Sequence, residues 1–251
     1  MLDTDVLMKD LKRHVDNDIS PHAVEVARRQ YSYLGHAKVS FLAPPSVKEA
    51  VAAEVRGVIE AAGVRRDLEV EQTDNSPRRM RNVGQADIVE FSTLIPRVYA
   101  AEPLLQAMSA VAGEPVHPCP WEPEQYVVTC LEKDGDTHGW HWDDYTFALV
   151  WVVETPPISD GGFVQCVPGT RWDKQRPEVN RHLVSRPIYS LELFPGDIYL
   201  MKTNTTMHRV YPVKSGQRKI INMSFASTSD LSRTVDHQTM GYFRGVVLEE
   251  A

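Results

Sequence analysis

Apolar residues recur at every third or fourth position over much of the first 117 residues, a pattern that predicts helices. The predicted helices are Asp5–Val15, Pro21–Tyr31, Ser46–Ala62 and Arg97–Ala112. Ser20 and Ser46 stand where N-cap residues are favoured, and Gly63 and Gly113 follow the two later helices. A short run, Ala37–Leu42, alternates enough to predict a strand.

The pattern changes at Pro118, after which short β-rich runs are separated by turn residues. The predicted strands are Tyr126–Leu131, Tyr145–Val153, Gly162–Val167, Ile188–Leu193, Asp197–Lys202, His208–Tyr211 and Arg218–Ala226. Many short strands at fairly even spacing indicate a sandwich or barrel, and a cupin-like jelly roll is the version that places metal ligands inside its mouth. We therefore predict an α+β fold, with a double-stranded β-helix (jelly-roll) core and a helical N-terminal region packed outside it.

The length of 251 residues suits one domain with a sizeable core. We expect a single domain over residues 1–251. Residues 1–117 would form a mainly helical support and residues 118–227 the jelly-roll core. For the C-terminal segment, residues 228–251, a short helix and a returning strand are both open.

A polar stretch, residues 66–90, separates two of the predicted helices, and it predicts an irregular loop. It contains a cluster of arginines that includes Arg78 and Arg81. One interpretation is a solvated loop. The other is a loop over the site whose arginines bind a substrate carboxylate, since loops on a rigid scaffold commonly carry such contacts.

Charge and composition narrow the function classes. A formal charge of −7 and a pI near 5.7 argue against a protein dedicated to nucleic acid or to a membrane surface. We see neither a membrane-spanning apolar run nor a signal-peptide pattern, and we expect a cytoplasmic protein. Cys119, Cys130 and Cys166 lack CxxC spacing, which predicts buried, reduced thiols rather than disulfides or zinc ligands.

Candidate chemistry centres on His141-Trp142-Asp143. On a strand, the two outer side chains would point to one face and could converge on one ion. His208 and Arg218 follow downstream in the β-rich part of the chain. Two histidines and one carboxylate are the ligand set that suits a non-haem Fe(II) ion, and an arginine could hold a carboxylate-bearing co-substrate in a bidentate pair. Each residue alone is a weak signal, so the prediction rests on their combination and order.

This order, with Pro195-Gly196-Asp197 opening the strand before His208, resembles the Fe(II)/2-oxoglutarate-dependent oxygenases. The residues flanking the first histidine resemble the small bacterial enzymes that halogenate or hydroxylate free amino acids, notably lysine. The segments that carry this second resemblance are His138-x-x-His141-Trp142-Asp143-Asp144-Tyr145, Trp151-Val152-Val153-Glu154-Thr155-Pro156-Pro157 and Asp160-Gly161-Gly162.

The resemblance implies the cofactors Fe(II), 2-oxoglutarate and O2, with His141, Asp143 and His208 as metal ligands. It also implies that Arg218 binds the distal carboxylate of 2-oxoglutarate. In the related halogenases a small residue stands at the position of Asp143, and chloride fills the coordination site. Because a carboxylate is present here, we expect hydroxylation rather than chlorination.

The resemblance further implies that His138, Asp144 and Glu124 help to bind the amino acid. A buried ammonium group needs paired carboxylates, which Asp144 and Glu124 could supply. Arg78 would meet the α-carboxylate, and Asn222 and Ser224 alternate on the strand that follows Arg218 and could point into the barrel. We expect Trp140 and Trp142 to pack rather than to bind substrate, and an aromatic side chain at Tyr242 or Phe243 to cover it.

The leading function is hydroxylation of an unactivated C–H bond of a free amino acid, with L-lysine first among the candidates. Alternatives are the same chemistry on arginine, ornithine or a carrier-bound or peptidyl residue, and a halogenase-like relative. A hypothesis outside the enzymes is a non-catalytic jelly-roll binding protein. We expect a small-molecule partner, with a homodimer left open, and no nucleic-acid or membrane partner, since an oxidative demethylase of nucleic acid would want a basic groove and stacking aromatics.

Overall fold

The computed structural model describes residues 3–244, and side chains as far as residue 241. The helices are α1 (Thr4–Asn17), α2 (Pro21–Leu34), α3 (Pro45–Ala62), α4 (Gln85–Phe91), α5 (Leu94–Tyr99), α6 (Glu102–Ala112), α7 (Val179–Ser185) and α8 (Gln238–Arg244). No helix within these residues is long and apolar enough to cross a membrane.

The first three predicted helices are confirmed to within a few residues, whereas the predicted helix from Arg97 to Ala112 is interrupted. Pro103 lies in the first turn of α6 and has no backbone N–H to donate to the carbonyl of Tyr99, so one continuous helix cannot form. Ser46 does not cap α3: it lies inside the first turn, and its hydroxyl donates to the carboxylate of Asp10.

The strands are β1 (His36–Lys38), β2 (Val64–Val70), β3 (Ser76–Val83), β4 (His117–Pro118), β5 (Tyr126–Leu131), β6 (Thr137–His138), β7 (Phe147–Glu154), β8 (Val164–Pro168), β9 (Tyr189–Leu191), β10 (Ile198–Lys202), β11 (Thr206–Val210) and β12 (Arg218–Ala226). They form a nine-stranded sheet in the order β1-β10-β7-β12-β5-β3-β2, with β4 beside β12 and β6 beside β3. A second sheet has the order β11-β8-β9, and the strand pairs of both sheets are antiparallel. The predicted α+β fold with a jelly-roll core is confirmed.

Period-two alternation on the central strand β7 separates the two apolar layers. Phe147, Leu149 and Trp151 join the core that the large sheet shares with the helices. The intervening Ala148 and Val150 face the other way, into the smaller core shared with the second sheet. The helices thus cover one face of the large sheet and leave the face inside the jelly roll for the site.

The prediction of an irregular loop over residues 66–90 is wrong. β2 pairs with β3 along its whole length, from Val64 opposite Asn82 to Val70 opposite Ser76, and β3 also pairs with β5. Three strands from before residue 117 therefore belong to the large sheet. The division into a helical support, a core and a C-terminal segment stays a prediction; of the last segment the structure describes α8, and residues 245–251 lie outside the described part.

Candidate metal centre and substrate pocket

His141, Asp143 and His208 come together at the mouth of the jelly roll. One ligand atom from each lies within 4.8 Å of the other two. Asp143 Oδ1 is 3.6 Å from His141 Nε2 and 3.8 Å from His208 Nε2. Two donors that each lie about 2.1 Å from one ion are about 3.0 Å apart when their bonds meet at a right angle and about 4.2 Å apart when the donors are on opposite sides. The two Asp143 distances fall between these limits.

The two histidines are positioned by backbone pairing, although His141 does not lie on a continuous strand as the sequence pattern suggested. His141 follows β6 and forms an isolated antiparallel bridge with His208 on β11. Asp143 lies in the loop that follows, where its backbone N–H approaches the carbonyl of Thr203 at 3.4 Å. The i, i+2 spacing still brings the imidazole and the carboxylate to one side.

Backbone carbonyls set the orientation of both imidazole rings. Nδ1 of His141 is 2.6 Å from the carbonyl oxygen of Gly139, and Nδ1 of His208 is 2.9 Å from that of Thr206. A carbonyl only accepts, so Nδ1 carries the proton and Nε2 keeps its lone pair for a metal. Burial lowers the pKa of His141 well below its usual range, and the nearby His138 and His208 lower it further, which keeps this ligand neutral.

Asp143 is the one carboxylate among the three candidate metal ligands. Its Oδ2 atom has no hydrogen-bond partner among the described residues. Burial raises the pKa of Asp143, while the neighbouring His208 opposes that rise. An open carboxylate oxygen next to two imidazole Nε2 atoms fits a divalent ion with free coordination positions, the arrangement that suits non-haem iron.

Arg218 opens β12 and is 1% exposed. Within the described part of the chain its Nε and Nη2 atoms have no hydrogen-bond partner. Burial lowers the pKa of the guanidinium, and the adjacent Tyr199 counteracts this. An unpaired buried guanidinium is costly, so the cavity is suited to an anion, and a carboxylate would take the free donors as a planar pair.

One cavity contains the three candidate ligands, Arg218 and every predicted substrate-binding residue. The substrate-binding candidates that line it are His138, Asp144, Glu124, Arg78, Asn222 and Ser224. On β12, Arg218, Asn222 and Ser224 share one face, as the predicted alternation requires. The side chains of Tyr242 and Phe243 lie outside the described part.

Arg78 lies on β3, so the interpretation of a solvated loop is wrong for this residue. It is 5% exposed and stands opposite His138 in the β3–β6 pair. Burial lowers the pKa of Arg78 to about 9, with the charge of Asp143 opposing the change. The ring of His138 stacks on that of His141 with centroids 3.7 Å apart. Arg81, by contrast, points away toward Glu132 and the carbonyl of Ile59.

A second cluster of titratable groups includes Glu124, Asp144 and His237, whose ligand-type atoms lie within 4.8 Å of one another. Glu124 and Asp144 line the same cavity. Glu124 Oε2 is buried and has no hydrogen-bond partner in residues 3–241. Burial raises the pKa of Glu124 well above its usual range, and the charges of Asp144 and Asp143 add to the rise. The charge of Lys174 opposes this rise. His237 Nδ1 lies 3.7 Å from Glu124 Oε2, beyond hydrogen-bonding distance, and burial lowers the pKa of His237, so this imidazole is a weak counterion for the carboxyl group.

The expectation that Trp140 and Trp142 pack agrees with the structure. Both belong to an apolar cluster with Val167 and Met207, and Trp142 Nε1 donates to Thr170 at 2.8 Å. The cysteine prediction is also confirmed, since the three thiols are free and buried.

Sequence reasoning missed residues that act through the backbone or through distant loops. Gly139 and Thr206 orient the histidines by their carbonyls, and a carbonyl contact leaves no residue-type signal in a sequence. Tyr199 beside Arg218 could have been found, because it alternates with Met201 on the inner face of β10. Lys174, whose ammonium is 2.6 Å from Asp144 Oδ1, lies in a loop that carries no pattern.

The sequence model of the Halogenase D family matches residues 19–243, and the chain belongs to this family. A comparison with curated proteins finds no match.

Solved structures share the fold. The non-heme alpha ketoglutarate dependent epimerase SnoN from nogalamycin biosynthesis superposes with a TM-score of 0.63 at 18% identity, covering 83% of this chain and 84% of its own. An oxidoreductase of the 2OG-Fe(II) oxygenase family from Burkholderia pseudomallei gives 0.57 at 12% identity, covering 81% and 90%. A prolyl hydroxylase from Trichoplax adhaerens, in complex with a peptide fragment, gives 0.56 at 12% identity, covering 85% and 95%. These likenesses concern the fold, and the predicted cofactors, Fe(II), 2-oxoglutarate and O2, agree with how these proteins are described.

Proposed function

We propose that this member of the Halogenase D family is an Fe(II)- and 2-oxoglutarate-dependent hydroxylase of a free amino acid. His141, Asp143 and His208 would hold the iron, and Arg218 would hold the distal carboxylate of 2-oxoglutarate. With iron and 2-oxoglutarate bound, the site would supply the oxidising chemistry for an unactivated C–H bond. The chain's own part is to orient these groups, keep water out and place the substrate.

The observation that carries the proposal is the position of Asp143. Its carboxylate points at the same space as both Nε2 atoms, 3.6 Å and 3.8 Å away. A halogenase of this kind needs that coordination position for chloride. With an acidic side chain already aimed at it, the position is closed to halide, and hydroxylation is the outcome we propose despite the family's name.

The walls of the cavity suit a small substrate. Val127, Ala148 and Ile220 line it between the polar groups, so a bound molecule would sit on apolar surface and be oriented by a few charges. A guanidinium group, that of Arg78, and a carboxyl group, that of Glu124, both line this space. An amino acid carries a carboxylate and an ammonium group, which suit these two residues.

The sequence resemblance makes L-lysine the leading substrate candidate. Further contacts to it would come from His138, Asp144, Asn222 and Ser224. Arginine and ornithine are variants of the same proposal. A carrier-bound or peptidyl residue would need an open groove instead. A non-catalytic binding protein would have no use for two imidazoles that face one carboxylate, close to a buried guanidinium that has free hydrogen-bond donors among the described residues.

A panel of the twenty free amino acids tests the proposal. Purified protein is incubated with Fe(II), 2-oxoglutarate and O2, and succinate and amino-acid products are followed by mass spectrometry. We expect one amino acid, or a small group, to stimulate succinate formation and to gain the mass of one oxygen atom. Stimulation by none of the twenty would contradict a free amino-acid substrate.

Chloride in the same assay separates the two branches of the family. Added chloride should leave the hydroxylated product as the main product, because Asp143 occupies the halide position. A chlorinated product as the main species would contradict the hydroxylase assignment, while leaving the iron site itself in place.

A further inference from the structure

Asp144 already has a cationic partner, and that partner comes from the chain. The Nζ atom of Lys174 lies 2.6 Å from Asp144 Oδ1. The other carboxylate oxygen accepts a hydrogen bond from Thr239 Oγ1 at 3.3 Å. The Asp144 side chain is 3% exposed and that of Lys174 is 22% exposed, so this ion pair is largely removed from water. Both oxygens of Asp144 are therefore engaged before any substrate arrives.

The ammonium group of Lys174 is held by more than this carboxylate. It also donates to the carbonyl oxygen of Asp236 and lies 4.6 Å from the centroid of the Trp172 ring. Trp172 is fixed in turn, because its Nε1 donates to the carbonyl oxygen of Gln72 at 2.8 Å. Because these three contacts hold its ammonium group in place, Lys174 is a fixed counterion of Asp144.

The charges that remain for a substrate are few. Glu124 Oε2 makes no hydrogen bond within the described chain, with His237 Nδ1 3.7 Å away, and Arg78 makes only long contacts to hydroxyl and carbonyl oxygens, between 3.2 Å and 3.5 Å. One negative and one positive group match the ammonium and carboxylate of an amino-acid backbone. A second ammonium, such as that of a lysine side chain, would meet no unpaired carboxylate outside the metal centre.

We infer that Lys174 is a specificity-determining residue, which neutralises Asp144 and makes the pocket select a free amino acid with an uncharged side chain over lysine. This inference rests on the proposed hydroxylation of a free amino acid, and it changes only the expected side chain. Burying an uncompensated ammonium group is costly, so a cationic side chain would be rejected by the absence of a partner rather than by size.

The test compares two substrates of nearly equal shape, L-norleucine and L-lysine, which differ by a terminal amino group. In the wild-type protein the ratio of kcat/KM for norleucine to that for lysine should exceed about ten. Lys174→Met removes the ammonium and leaves Asp144 free to pair with a lysine side chain. We expect this variant to lower the ratio at least tenfold, mainly through a smaller KM for lysine.

Two further variants guard against an indirect effect. Lys174→Met combined with Asp144→Asn removes both charges, so it should not gain lysine activity even though Lys174 is absent. Lys202→Met removes a lysine that pairs with Glu114 at 3.1 Å on another part of the surface, and it should leave the ratio at the wild-type value.

The outcomes separate the inference from the proposed function. A wild-type enzyme that prefers lysine, or a ratio that Lys174→Met leaves unchanged while both substrates are hydroxylated, would overturn the inference and leave the hydroxylase in place. Hydroxylation of neither substrate nor of any other free amino acid would overturn both. A lower ratio in Lys174→Met that the added Asp144→Asn reverses would establish the role of Lys174.

Discussion

The backbones of His141 and His208 exchange two hydrogen bonds, at 2.9 Å and 2.8 Å, and their imidazole centroids are 4.1 Å apart. The pairing fixes the two ligand-bearing segments without using either side chain. Since β11 also pairs with β8 over its full length, the position of His208 belongs to the sheet rather than to a bound ion. The backbone alone therefore holds both imidazoles in place, as a preorganised metal site would require.

We predict that His208→Ala abolishes Fe(II) binding but leaves the fold intact. The backbone bridge does not need the imidazole, so the thermal midpoint without metal should change by only a few degrees. Equilibrium dialysis with Fe(II) and a thermal melt measure the two effects. His117→Ala, on β4, is the matched control and should bind iron as the wild type does. Unchanged iron binding in His208→Ala would contradict the ligand assignment.

We predict that Asp143→Gly lowers hydroxylation at least about a hundredfold in the presence of chloride, because the proposed iron site would lose its carboxylate ligand. The measurement is the amount of hydroxylated product per turnover of 2-oxoglutarate, by mass spectrometry. Asp134→Gly, in an exposed turn nearby, should have little effect. Undiminished hydroxylation in Asp143→Gly would mean that this carboxylate is not a ligand.

We predict that Arg218→Met raises the stability of the protein alone but removes its response to 2-oxoglutarate. The guanidinium is buried without full pairing among the described residues, so its loss should stabilise by about 1 kcal/mol or more. A ligand at a hundred times its Kd stabilises a protein by about 2.7 kcal/mol, and this gain should vanish in the variant. Urea unfolding with and without 2-oxoglutarate measures both effects.

Lys219→Met is the control for this experiment. Lys219 is the next residue on β12 and pairs with Glu154 at 3.0 Å, on the opposite face of the strand. The Lys219→Met protein should be stabilised by 2-oxoglutarate to the same extent as the wild type. An Arg218→Met protein that is still stabilised by 2-oxoglutarate to the same extent would show that the co-substrate is anchored elsewhere.

We predict a stability difference between Glu124→Gln and the wild type that grows with pH. Burial raises the pKa of Glu124 above its ordinary value of 4.5, so between 4.5 and the raised pKa the folded protein binds more protons than the unfolded chain. The wild type therefore loses stability as pH rises through this window, and the glutamine variant lacks this loss. Urea unfolding from pH 5 to pH 8 without metal measures the difference.

Glu122→Gln, at an exposed position two residues away, should follow the wild type at every pH. Parallel stability curves for Glu124→Gln and the wild type would show that burial does not raise the pKa of the Glu124 carboxyl group. They would also remove it as the receiver of a substrate ammonium group.

The sequence was most informative where chemistry depends on residue type and order. His141, Asp143, His208 and Arg218 could be found because few functions require that set together, and period-two alternation placed Asn222 on the inner face of its strand. The β-rich second half was predictable for a similar reason, since buried strands carry apolar alternation and glycine-containing turns mark their ends.

The hairpin of β2 and β3 escaped detection because its sequence is dominated by arginines and acidic residues. Its inner positions use Arg78 and Asn82 in place of apolar side chains, so the usual hydrophobic alternation is hidden. The turn, where Asp74 and Asn75 both adopt positive φ, was the available signal. The Lys174–Asp144 contact could not be predicted, because it joins a loop to the site through tertiary packing alone.

Anaerobic addition of Fe(II) and then 2-oxoglutarate to the purified protein tests the central claim most directly. The account predicts a weak visible charge-transfer band that requires both additions, is absent in His208→Ala and is weakened in Arg218→Met at low 2-oxoglutarate. No band in the wild-type protein, or a full band in His208→Ala, would contradict an iron and 2-oxoglutarate centre at these residues.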